Sequence, residues 1–396
     1  MKPVNEVHVA IVSFGYAPLR HVASTRAAQM AKGLAALGHP VTVLTVDWRG
    51  DRDEDDALSV VRANPRCWFP DFVPDGRPLR VERPRARSRL RTLARTLRWG
   101  PYARWAQASL ADARSVHRNH PISIVWAIHG DDSAHEIAFR FARETGVPWV
   151  ADFKDPWDLF HRGPRAAQRG QRRRRLATAA ALTETARAQA TIDRALFRRP
   201  TEVIWSGYDA SGMEVAAPER RDRFELVHVG HLGPQHDCRL VAQLVEHLAP
   251  EGIELVVYGH GSPLLANELR ARGVAARQAP FTTSPFEVMK GAGTLLVVPA
   301  THGPAAQRGG SVGVKELECF AAGTPTLCLG GLLPEMHAVA AKLPHVATIT
   351  DPHAAAKWII AQRALGNRGR TNHPNVAAHA WPSKALALSD LLRRIA

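Results

Sequence analysis

The chain is poor in the features that mark several protein classes. Its 396 residues hold four cysteines, Cys67, Cys238, Cys319 and Cys328, with no CxxC pair and no Cys/His cluster at zinc spacing. That argues against a disulfide framework or a structural metal, so no metal site is expected and the cysteines read as small buried side chains. No run reaches the roughly 18 apolar residues of a membrane span, and the opening residues lack the pattern of a secretory leader. The cytoplasm is the expected compartment. No GxGxxG fingerprint follows the first apolar run, and no zinc finger or RNP-type motif is present. Classical dinucleotide binding and nucleic-acid binding are therefore not expected.

Acidic residues are also scarce relative to basic ones, 37 against 52, which leaves a net charge of +15 and calls for an acidic partner. Much of the excess lies in two arginine-rich segments, 83–104 and 162–175. In the first, Leu90, Leu93, Leu97 and Trp99 stand among arginines at near-helical spacing. An interfacial helix resting on anionic lipid and a solvated helix face read equally well from this pattern.

At this length two domains are expected, and 45% apolar content supplies their cores. Val7 to Ser13, Val41 to Val46, Ile122 to Ile128 and Val147 to Phe153 read as buried strands. The first two are separated by a helix over Ser24 to Leu37, capped by Ser24 or Thr25. Strand–helix alternation of this kind implies a parallel, doubly wound sheet. Residues 210–223 are polar and patternless, as a linker would be. Phe224 to Val229, Leu255 to Tyr258 and Thr294 to Val298 then repeat the same grammar. The fold class is thus α/β with two Rossmann-like domains, residues 1–209 and 210–379, and a last helix over about 380–396 that returns to the first.

Open α/β sheets bind ligands at the carboxyl ends of their strands. The first strand opens into a loop with Tyr16 and His21 and then the helix carrying Arg26. The third ends at His129, Gly130 and Asp131, and the fourth delivers Lys154 and Asp155. His129 suits a hydrogen bond to a sugar hydroxyl or phosphate, or is a satisfied strand-end histidine. Asp155 suits orientation of an acceptor or of a loop lysine.

The richest stretch is 299–330, PATHGPAAQRGGSVGVKELECFAAGTPTLCLG. It reads as strand end, glycine-rich loop with Gly309, Gly310 and Gly313, helix from Val314, and next strand. Ser311 is positioned to cap that helix, and amides around Gly313 and Val314 with the helix dipole suit a diphosphate. Lys315 adds a full charge, and Glu318, one turn on, offers an acceptor to sugar hydroxyls. A glycine-rich loop with a surface Lys–Glu pair is the plainer reading.

These segments together resemble the family-four GT-B glycosyltransferases, whose two Rossmann-like domains face a central cleft. YAPLRHVASTRAAQMAKGLAALGHPVTVLT resembles the family's opening, VPWVADFKDPWD its ADFRDPW segment, VIWSGYD its IPNGYD turn and GVKELECFAAGTPTL its KLFEYLAAGKPVL signature. The resemblance implies a retaining, metal-independent sugar transfer from a nucleotide-sugar co-substrate, with no further cofactor and an acceptor-side first domain. It places Glu318 on the ribose hydroxyls, His129 beside the reacting sugar, and Lys315 with the Ser311, Val312, Gly313 and Val314 amides on the diphosphate. His129, Lys315 and Asp155 make up the expected catalytic set, and Tyr16, His21, Arg26 and Asp131 fall on the acceptor side.

The chain also departs from the family pattern. Gly310 stands where the family has a donor-sugar glutamate, and His231 and His236, beyond Gly230, stand where it has arginine and lysine. Acceptors of the implied kind are glycolipid or polysaccharide precursors and natural-product aglycones. A nucleotide-sugar epimerase and a noncatalytic nucleotide-sugar or glycolipid-binding homologue are the alternative readings.

Overall fold

The structure is a computed structural model. It describes the chain apart from residues 1–5, 18, 20–21, 48–56, 64–70, 73–77, 80–102, 130–131, 157–168, 215–222, 260, 281, 283, 301–312 and 367–373. His21, Asp131, Gly310, Ser311, Val312 and the Leu90–Trp99 segment lie outside the described residues. The chain divides into two compact units, Met1–Trp205 with Trp381–Ala396, and Ser206–Ala380.

The first unit is built on a parallel sheet of seven strands. They are β1 (Val9–Ser13), β2 (Val41–Val46), β3 (Ser59–Ala63), β6 (Ile124–Ile128), β7 (Trp149–Phe153), β8 (Ala181–Glu184) and β9 (Thr201–Val203), in the order β3-β2-β1-β6-β7-β8-β9. A short antiparallel pair, β4 (Asp71–Phe72) and β5 (Pro78–Leu79), stands apart. Helices α1 (Val22–Ala36), α2 (Ala103–Asn119), α3 (Asp132–Thr145), α4 (Arg169–Leu176) and α5 (Arg187–Phe197) connect the strands. Every residue of β1, β2, β6 and β7 is buried. This is why these strands read as continuous apolar runs. Successive side chains of β1 go to opposite faces, Ala10 and Val12 into one core and Val9 and Ile11 into the other.

Helix α1 begins at Val22, so Ser24 and Thr25 sit inside its first turn and neither is its cap. The last helix of the chain packs on α1 over Gly33, where a Cβ would overlap that of Ala385. His39 adds a 2.7 Å bond to Ser389.

The second unit repeats the plan with β10 (Glu225–Val229), β11 (Glu254–Tyr258), β12 (Arg277–Ala279), β13 (Thr294–Val297), β14 (Thr326–Leu329) and β15 (Val346–Ile349). The order is β12-β11-β10-β13-β14-β15, all parallel. Its helices are α6 (Cys238–Leu248), α7 (Pro263–Ala271), α8 (Pro285–Gly291), α9 (Val314–Ala321), α10 (Pro334–Ala340), α11 (Pro352–Leu365) and α12 (Pro374–Ala377); α13 (Trp381–Ile395) belongs to the first unit. Asp237 and Ser262 cap α6 and α7 by accepting from Leu240 N and Leu265 N. In both sheets the strand order reverses beside the first strand, between β1 and β6 and between β10 and β13. That reversal opens a crevice at the carboxyl ends.

Candidate functional site

In the second unit the reversal point is occupied by a lysine. Gly230 ends β10 at φ +119°, a conformation that side chains rarely adopt, and a Cβ there would overlap Lys315 Nζ and stand 2.5 Å from its Cε. The Lys315 side chain therefore lies across the end of β10, a position that requires both the backbone freedom and the bare surface of glycine. Gly259, which ends β11 at φ +141°, meets the Gly230 backbone in turn, its added Cβ only 2.8 Å from Gly230 C. Two strand ends and α9 thus close on one point, and a cation stands on it.

Helix α9 begins differently from the sequence expectation. Its N-cap position falls on Gly313 and not on Ser311, and glycine has no side chain to cap it. The Glu316 carboxylate turns back over this end, with its Cδ 2.8 Å from where a Gly313 Cβ would be. An acid therefore already sits near the helix's positive end.

Glu318 lies one turn along α9, half-buried, and no described residue hydrogen-bonds its carboxylate. Burial pushes its pKa up to about 7, with Asp209 and Glu316 adding to the rise and Lys315 opposing it. Asp209 is held in a turn by Ser211, whose N and Oγ reach Asp209 Oδ1 at 3.0 and 2.7 Å. Lys315 and Glu318 are therefore a cation and a carboxyl on one helix, over strand ends whose backbone approaches closely.

The loop after β10 completes this site. Gly233 carries His231 on one side and Gln235 on the other, and a Cβ at Gly233 would overlap both. His236 Nδ1 is 2.9 Å from Gly233 N. Burial, Lys315 and His231 hold His236 below its usual range, and burial with Lys315 takes His228, beneath them on β10, down to about 3. At neutral pH these two rings are uncharged, so Lys315 supplies the fixed positive charge.

In the first unit His129 follows β6 and is 2% exposed. It stacks on His135, centroids 5.5 Å apart and planes at 19°, and meets Phe153 at 5.4 Å. Burial, Arg172 and His135 keep it neutral, far below its ordinary value. Lys154 Nζ pairs with Asp155 Oδ2 at 3.0 Å just past β7.

Two expected acceptor contacts are corrected. Arg26 is fully buried, bonding Asp152 through Nε at 2.9 Å and Nη2 at 2.6 Å, and Ile204 O at 3.0 Å. It ties α1 to β7 and to the segment after β9. Tyr16, 4% exposed, packs in the core under the Arg62 guanidinium, 5.9 Å from its ring centroid.

Arg172 is a buried neighbour of His129 that sequence reasoning missed, because it stands in a run of four arginines. It is buried at 3% exposure, pairs with Asp132 at 2.7 Å and stands close enough to His129 and His135 to oppose their protonation. Arg175, one turn on, pairs with Glu136 at 2.6 Å. The usable signal is the i, i+4 pair Arg172 and Leu176, both buried on one face of α4.

No protein-family model matches the chain, and no curated protein matches it in sequence. Solved structures match over nearly its whole length. Sucrose-phosphate synthase from Thermosynechococcus elongatus is 16% identical with a TM-score of 0.61, covering 98% of each chain. A glycosyltransferase from Rickettsia africae is 8% identical at a TM-score of 0.65, covering 99% of each. Anabaena HepE in complex with UDP is 12% identical at 0.61, over 98% of this chain and 100% of that one. At these identities the likeness establishes the fold alone, which is two-domain α/β of the GT-B type.

Proposed function

We propose that the chain is a glycosyltransferase that moves a sugar from a nucleotide-sugar to a hydroxyl or amine acceptor. The observation that carries this reading is Lys315 lying across Gly230 at the reversal point of the second sheet, with the Glu318 carboxyl one turn further along the same helix. Sugar transfer builds negative charge on a departing diphosphate, and a preorganised ammonium beside close-packed strand ends stabilises that charge as it develops. Once ionised, Glu318 accepts hydrogen bonds from ribose hydroxyls, and binding a nucleotide gives it the partners that the described residues do not.

The fold supports the reading, since Anabaena HepE was solved with UDP and an E. coli protein of the same fold with UDP-2-fluoro glucose. Family-four membership, retention of anomeric configuration and independence of metals and other cofactors are finer parts of the proposal, resting on the GVKELECFAAGTPTL segment. In the first unit, neutral His129 serves as a hydrogen-bond partner for the reacting sugar, and Asp155 orients the acceptor. The acceptor is a lipid-linked glycan precursor or a small aglycone. A cytoplasmic enzyme with peripheral contact to anionic membrane through its arginine-rich segment fits the charge.

The test is incubation with a panel of nucleotide-sugars, with and without lipid-linked and free acceptors. Released nucleoside diphosphate is quantified and the product anomer read by NMR. Acceptor-dependent release that is lost in Lys315→Ala is expected. Conversion of the sugar to its epimer without an acceptor would support the epimerase reading instead, and binding without turnover the noncatalytic one.

A further inference from the structure

The loop that replaces the family's basic residues with histidines carries a built-in choice of protonation state. His236 Nδ1 stands 2.9 Å from Gly233 N and 3.2 Å from Gly233 O. An amide N–H only donates, so the 2.9 Å bond is made by the neutral ring with Nδ1 bare and the proton on Nε2. In the imidazolium both nitrogens carry protons, and Nδ1–H then donates to the Gly233 carbonyl. One residue thus offers a partner to each state of the ring, and the Gly233 N–H is released when the ring charges.

The surroundings decide which state is held. Lys315 from α9 and His231 across the loop act against a positive charge on His236, while His228 on β10 is held neutral by its burial and by Lys315. Asp237, the adjacent carboxylate, is engaged in capping α6 through Leu240 N at 3.0 Å. Half-burial of the ring opposes charging as well. With nothing negative bound, the neutral ring is favoured. A diphosphate beside Lys315 reverses the balance, because it adds several negative charges next to the cation that opposes charging of the imidazole.

We propose that this loop binds diphosphate with uptake of one solvent proton at His236 Nδ1, so that affinity for the donor rises as the pH falls. The proposal rests on the donor-site reading above and adds to it a proton-coupled step peculiar to this chain's histidines. No covalent bond other than Nδ1–H forms, and the proton comes from the buffer.

Inorganic pyrophosphate serves as a base-independent probe, titrated calorimetrically into wild type and His236→Gln between pH 6 and 8. The probe's own ionisation affects both proteins alike, so the ratio of their affinities isolates the ring. That ratio is expected to rise in favour of wild type on acidification, by up to about tenfold per pH unit. On wild type alone, ring-15N NMR is expected to show one imidazole passing from neutral with a bare Nδ1 to protonated on both nitrogens at saturating pyrophosphate near pH 7. If both proteins bind with a constant ratio, or no Nδ1 changes state in a wild type that binds, the proton step is overturned and the donor site stands. If wild type binds no pyrophosphate at any pH, the donor-site reading falls with it.

Discussion

Replacing Gly230 with alanine separates two jobs of one glycine. The new Cβ would overlap the end of Lys315, and the backbone would have to keep φ at +119° with a side chain attached. The second effect is conformational strain, worth about 1–3 kcal/mol of stability. For a unit of this size that is roughly 2–12 °C in melting temperature. The first effect costs little stability, because a lysine tip is free to swing away, but it removes the ammonium from the reversal point. A charge-assisted bond to phosphate is worth about 1.5–3 kcal/mol, so affinity for the preferred nucleoside diphosphate should fall about 10- to 150-fold. Lys315→Ala should lose the same affinity with little change in melting temperature. In the double variant the affinity loss should not deepen, whereas the melting loss of Gly230→Ala should persist. Titration calorimetry and thermal unfolding on the three variants measure both quantities. Additive affinity losses, or unchanged affinity in Gly230→Ala, would refute the claim that Gly230 exists to seat Lys315.

Other outcomes follow from the same geometry. Arg26→Ala leaves Asp152 as an uncompensated buried charge and should cost about 3–5 kcal/mol by chemical denaturation. Arg114→Ala, which breaks an exposed pair with Glu144, should cost no more than about 1 kcal/mol in the same assay. Burial raises the carboxyls of Glu184 and Asp193 above their usual values, and Asp193 adds to the rise at Glu184. The folded chain therefore holds protons that the unfolded chain has already released. That stability is complete below about pH 4 and is lost as pH rises toward the folded values, at up to about 1.4 kcal/mol per pH unit per proton. Denaturation midpoints between pH 5 and 8 should fall more steeply in wild type than in Glu184→Gln. Because Lys315 supplies the charge for the diphosphate, transfer should survive excess EDTA; loss of activity restored only by Mg²⁺ or Mn²⁺ would count against that role.

Much of the fold was legible because its central strands are buried on both faces. Runs such as Val9–Ser13 and Val41–Val46 carry no polar alternation to confuse the reading. Gly230 and Gly313 were legible as a strand end and a loop glycine, but what approaches them was not, since a lysine and a glutamate reach them from the same helix in three dimensions. Ala181–Glu184 does not read as a strand because half of its four residues, Thr183 and Glu184, are polar although buried. The burial of Arg26 and of Arg172 escapes sequence reasoning for one reason. Charge in a sequence reads as surface, whereas each is buried against a carboxylate, Asp152 and Asp132, that the chain supplies far away in sequence. Such pairs leave no periodic trace.

The central claim is that the second unit holds a nucleotide-sugar with its diphosphate on Lys315 at the Gly230 strand end and its ribose hydroxyls on Glu318. Thermal unfolding of the wild-type protein with UDP, GDP, dTDP and CMP in turn tests it most directly, since a ligand that binds only the folded state raises the melting temperature by mass action. The account predicts a concentration-dependent rise with one of the nucleoside diphosphates, abolished at the same concentrations in Glu318→Ala. No rise with any nucleotide at millimolar concentration, or an equal rise in Glu318→Ala, would contradict it.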